Sequence, residues 1–231
     1  MKQFSLIATL LLAASTATVF TGCLLDGGSS SSTPSAESEK EAVDGDGVGA
    51  ITDSETSKLT ALIEEGNAAL AAGDLRLATE IFEEAEELAP DNPFVKNNLG
   101  LVYMEKEYFS LAASHFREAV ELLPYYYKAY NNLGNCYYKL EYYDLSAEAY
   151  EEALRIKPDY ALAHWNYAML LEKNGEYLDA IRHWQRYIAL AEGEGDVAFA
   201  RDRIAALRDA TANGSENVDP GELEMGYIID D

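Results

Sequence analysis

Residues Tyr127–Tyr160 read YKAYNNLGNCYYKLEYYDLSAEAYEEALRIKPDY, and the chain repeats this stretch in both directions. Pro90, Pro124 and Pro158 fall 34 residues apart, as do Leu99 and Leu133, Gly100 and Gly134, and Tyr103 and Tyr137. Phe82, Phe116, Tyr150 and Trp184 keep the same interval, and so do Ala85, Ala119 and Ala153. Self-similarity at this period predicts a solenoid of helix-turn-helix units, none of which can bury its apolar face alone. Four units follow from the register: 59–92, 93–126, 127–160 and 161–194.

Within the third unit, Tyr130, Leu133, Gly134 and Tyr137 share one face at helical spacing. Gly134 sits mid-helix at a cost of about 1 kcal/mol relative to Ala. That cost makes sense where a partner helix crosses too closely for a side chain. A second helix begins near Asp144, turns Ala147, Tyr150, Ala153 and Leu154 inward, and ends at Pro158. The pattern of bulky residue, Leu-Gly, Tyr, aromatic, Ala and Pro resembles the tetratricopeptide repeat. The resemblance implies an all-α solenoid of four repeats plus a C-terminal capping helix at 196–210. In that helix Val197, Ala200, Ile204 and Leu207 form the stripe that shields the last unit.

Ahead of the repeats, Lys2 and the apolar run Leu6–Phe20 read as a targeting segment, residues 1–22, too short to span a membrane. Thr21-Gly22-Cys23 resembles the processing site of bacterial lipoproteins, so Cys23 is expected to carry lipid. By the sorting rule that this resemblance implies, Leu24 in the next place leans the anchor towards the outer membrane. Residues 23–52 are Ser-, Gly- and acid-rich, a tether spanning roughly 30 Å as flexible coil. Within it, Asp44, Asp46 and Glu55 fall at the first, third and twelfth places of a calcium loop, but Val48 replaces an oxygen ligand. A solvated acidic linker explains that pattern better. Thr52 and Glu55 also have the spacing of a capping box. Residues 53–210 form the repeat domain, and 211–231 read as a disordered acidic tail that could also lie in a groove.

The formal net charge of -24 argues against nucleic acid and against direct adhesion to anionic lipid. Lipid on Cys23 leaves Cys136 as a single, buried thiol, so no disulfide is expected. No phosphate loop, nucleophile elbow or metal-spaced Cys/His set appears. An enzyme is therefore not expected, and no cofactor. The carboxylates lie on solvated helix faces.

The tetratricopeptide resemblance implies that the first helices line a groove for an extended peptide. The positions it assigns there are Asn67, Phe94, Asn97, Asn98, Leu101, Lys128, Asn131, Asn132, Asn135, Tyr138, Lys139, Trp165, Asn166, Met169 and Lys173. Carboxamides can pair with a peptide unit of any sequence, and Trp165 and Phe94 are candidate anchors. Co-chaperone members clamp a C-terminal carboxylate. Asn67, Asn98 and Lys128 match that clamp, whereas Ile63 and Asn132 replace its Lys and Arg. Tyr125, Tyr126, Tyr142 and Tyr143 offer a second contact surface. The expected role is a non-catalytic adaptor for an envelope protein or peptide, anchored through lipid and facing the periplasm or cell surface. The alternative is an accessory subunit that recruits a cell-wall synthase or hydrolase.

Overall fold

A computed structural model describes residues 52–191 and 196–212 of the protein. The leader, Cys23, Asp44, Asp46, the tether up to residue 51, the break at 192–195 and residues 213–231 lie outside the described residues. The described residues form nine helices and no strand. These are α1 (Asp53–Ala71), α2 (Leu75–Leu88), α3 (Pro93–Glu105), α4 (Phe109–Leu122), α5 (Tyr127–Lys139), α6 (Tyr143–Ile156), α7 (Ala161–Lys173), α8 (Tyr177–Leu190) and α9 (Val197–Ala212). Each of the four pairs packs as a hairpin, and each hairpin stacks on the next. The fold is an all-α solenoid of stacked helical hairpins.

Local chemistry starts the first three helices. Thr52 and Glu55 form the capping box: Glu55 N–H donates to Thr52 Oγ1 at 3.3 Å, and Thr52 N–H donates to Glu55 Oε2 at 2.8 Å. The carboxylate placed last in the calcium pattern is thus engaged in starting α1. Asn92 accepts from the N–H groups of Phe94 and Val95, with Pro93 at the first helical position. Later units begin with Tyr126 or Tyr160 and have no side-chain cap. Their order rests on packing.

The mid-helix glycines sit under aromatic rings. A Cβ on Gly66 would lie 2.6 Å from Phe82, one on Gly100 2.6 Å from Phe116, and one on Gly134 2.5 Å from Tyr150. Phe82, Phe116 and Tyr150 are fully buried at 0% exposure. Burial pushes the Cys136 thiol well above its ordinary value, which keeps it protonated.

The backbones of the first helices α1, α3, α5 and α7 approach one another from unit to unit, whereas among the described residues the backbones of successive second helices stay further apart. The first-helix layer is therefore the tighter, inner wall of the array. Ala200, Ile204 and Leu207 of α9 are buried against α8, as the apolar stripe predicts.

Candidate functional site

Most of the assigned amides are inside the wall. Asn97, Asn98, Asn131, Asn132, Asn135 and Asn166 are all less than a tenth exposed. Asn98, Asn132 and Asn166, spaced 34 residues apart, form a row from unit to unit, and each donates an N–H to the preceding unit. Asn98 Nδ2 donates to Asn67 Oδ1 at 3.1 Å, Asn132 Nδ2 to Asn97 Oδ1 at 3.4 Å and Asn166 Nδ2 to Asn131 Oδ1 at 3.0 Å. Asn135 accepts from Tyr150 O–H at 2.7 Å. The ladder first stitches the stack, since buried amides left unpaired would be costly.

One rung is incomplete. Asn97 Nδ2 reaches Asn98 Oδ1 at 3.4 Å, but the equivalent atoms one unit on, Asn131 Nδ2 and Asn132 Oδ1, are buried without a partner, as is Asn135 Nδ2.

Three of the apolar residues assigned to the groove are core residues. Leu101 and Met169 are 2% exposed. Trp165 stands edge-on to Trp184 and Tyr187, with ring centroids 4.8 and 4.9 Å away, and stacks on Phe199 of α9 at 5.1 Å. The capping helix covers the place where the repeat pattern puts a ligand, so the anchor assigned to Trp165 becomes a packing residue. Of the assigned set, Phe94, Asn67 and Lys173 are exposed, and Lys128, Lys139 and Tyr138 are half-buried. Phe94 is 49% exposed and meets Tyr126 edge-on at 5.3 Å. In the second contact surface, Tyr125 and Tyr142 are exposed and Tyr126 and Tyr143 are half-buried.

Two sets of ionisable groups escaped the sequence reading. Glu86, His115 and Glu118 place ligand atoms within 4.8 Å of one another. Lys96 Nζ already lies between the carboxylates, at 2.8 Å from Glu86 and 2.6 Å from Glu118, and serves as their cation. In unit four, His164 Nδ1 and His183 Nδ1 are 2.9 Å apart, and His164 Nε2 is 3.1 Å from Pro158 O. The carbonyl can only accept, so His164 carries its proton on Nε2 and takes the His183 N–H at Nδ1. Both pKa values are lowered: His164 by burial, and His183 to about 4, by burial first and then by His164. Unfolding therefore takes up protons below the ordinary value of 6.5. Stability held above that value should drain away as pH falls to about 4, and Tm should fall with it. Calorimetry of the wild type and His183→Gln checks this. The variant should show the shallower dependence, and parallel curves would remove the histidine pair from the account.

The repeat geometry defines a class, the helical-repeat scaffolds. Within it, residues 63–127 and 127–160 both match models described as tetratricopeptide repeat, so the chain contains tetratricopeptide repeats. No curated protein matches the sequence significantly. Among solved structures, the chain is similar to the APC/C hetero-tetramer Cut9-Hcn1, with 24% identity and a TM-score of 0.59. That match covers 64% of this chain and 29% of the other, so the chain spans under a third of that relative's length. It is also similar to YrrB, described as a tetratricopeptide protein with an unusual peptide-binding site: 20% identity, TM-score 0.57, covering 71% of this chain and 83% of that one. The first such domain of Spaghetti (RPAP3), bound to an HSP90 peptide, has 26% identity and a TM-score of 0.51, covering 54% of this chain and 98% of that one.

Proposed function

We propose that the protein is a non-catalytic, lipid-anchored scaffold of a bacterial envelope, and that its first-helix layer holds an extended segment of another envelope protein. The observation that carries the binding half is the open part of that layer. Phe94 presents a half-exposed ring on α3 beside Tyr126, and Lys173 stands exposed at the end of α7. A wall with an exposed aromatic anchor and an ammonium group suits an apolar segment with a carboxylate, rather than a cationic one. The peptide-bound domain of Spaghetti supports this use of the fold. Ile63 and Asn132 stand where a carboxylate clamp needs Lys and Arg, which argues against the same ligand here. The anchoring half rests on Thr21-Gly22-Cys23 after an apolar run, with the outer membrane the favoured site.

A photo-crosslinking residue at position 94, in intact cells, should capture one discrete envelope protein, whereas the same residue at Glu151 on α6 should not. Equal capture from both positions would move the interface off the inner wall. Labelled fatty acid should enter the wild type and be absent from Cys23→Ala, which is expected to stay unprocessed. Equal incorporation into both would remove the anchor.

A further inference from the structure

The turn inside each unit passes through a left-handed residue at the same register: Gly73, Glu107, Glu141 and Gly175, with φ of 75, 62, 62 and 79°. The outer units use glycine there, the residue that adopts this conformation freely. The middle units hold a glutamate in a strained backbone, although glycine would relieve it. Each strained glutamate is followed by an exposed tyrosine and, three residues further on, an exposed leucine. Tyr108 is 61% and Leu111 42% exposed, and Tyr142 is 56% and Leu145 43% exposed. Neither ring is loose in the third unit: Tyr142 lies 6.5 Å from Tyr137 and Tyr143 5.6 Å from Tyr138, centroid to centroid. Beside them is an open recess of about 490 Å³ lined by Glu141, Tyr142, Tyr143, Asp144, Leu145 and Asn174.

We propose that this turn edge is a second docking surface, separate from the first-helix wall, and that it takes a basic, partly apolar extended segment of a partner protein. An arginine of that segment enters the recess. Its guanidinium meets the Glu141 and Asp144 carboxylates, and its stem lies along Tyr142 and Leu145. Arginine fits better than lysine because its planar head can lie on an aromatic face while its N–H groups pair with a carboxylate. The Glu107, Tyr108 and Leu111 set one unit back extends the same chemistry to a second basic or apolar residue. A second copy of this chain is disfavoured, since it would bring another -24 charges to an acidic edge.

The test uses full-length protein in detergent and a capped peptide alternating arginine and leucine, titrated calorimetrically at moderate salt. Saturable binding is expected. Replacing arginine by neutral citrulline, or combining Glu141→Gln with Asp144→Asn, should weaken it about fivefold, the size of a lost exposed charge pair. The Glu148→Gln and Glu152→Gln pair on the same helix should leave it unchanged, as should Phe94→Ala. Glu141→Gly should raise Tm while weakening the peptide, separating strain from binding. Absence of saturable binding, equal affinity for the citrulline peptide, or equal loss in the Glu148/Glu152 control overturns the proposal. Loss in Phe94→Ala alone assigns the peptide to the inner wall instead. Unchanged binding by the recess variants, with envelope crosslinking from position 94 intact, would sink this surface and leave the proposed scaffold role standing.

Discussion

Gly134→Leu is expected to lower the unfolding free energy by about 3 kcal/mol or more, at the upper end of overpacking costs. A single methyl at this position would lie 2.5 Å from Cε1 and 2.7 Å from Cδ1 of Tyr150. Retreat is blocked for that ring. It is 0% exposed, and its O–H is fixed to Asn135 Oδ1 at 2.7 Å. The helix cannot easily rotate either, because Ser146 Oγ donates to Gly134 O at 2.8 Å. Gly134→Ala is the sharper test. Alanine gains about 1 kcal/mol of helix propensity, so any net loss is a lower bound on the clash. Urea unfolding of Gly134→Ala, Tyr150→Leu and the double variant should show strong non-additivity, with the double variant less damaged than the two losses combined. Additive losses would mean that the ring does not dictate the glycine.

Much of this was legible because a repeat states its geometry several times over. The 34-residue interval places Gly66, Gly100 and Gly134 on first helices and Phe82, Phe116 and Tyr150 on second helices, each pair one hairpin apart. The crossing glycine follows from helix energetics, and the capping box at Thr52 from residue spacing alone. The site was read less well, for two physical reasons. A repeat position identifies which wall a residue belongs to, but not what its polar atoms are bonded to. The amides at Asn98, Asn132 and Asn166 keep the expected register and spend their N–H groups on the unit before. Nor does the pattern of one unit reveal what the next element covers. Trp165 occupies a groove position in the last unit, where α9 lays Phe199 against it. Partners outside the repeat register were invisible for the same reason: Glu172 and Arg203 are 31 residues apart, and only the folded array brings them together.

Arg203→Met should uncouple the capping helix from the array at a cost of about 3–5 kcal/mol, the range for stripping one partner from a buried ion pair. Glu172 is 4% exposed on α7. Its carboxylate takes Arg203 Nε at 3.0 Å and a second guanidinium N–H, and it accepts the indole N–H of Trp184. Without Arg203 that charge keeps a single neutral donor in a wall of apolar rings. The way to remove it is to release α9 and let water in. Ala200, Ile204, Leu207 and the Trp165 ring would then lose their cover. The chain's two tryptophans, Trp165 and Trp184, both sit at this end, so their fluorescence reports on it alone. Arg203→Met should shift emission to the red at a denaturant concentration where far-ultraviolet circular dichroism still shows helix. Wild type should lose both signals nearer together. Neutralising the other partner as well, with Glu172→Gln added to Arg203→Met, should recover most of the loss because no buried charge remains uncompensated. If the double variant is no better than Arg203→Met, the guanidinium acts through its packing, and the buried charge is not what fastens the last helix.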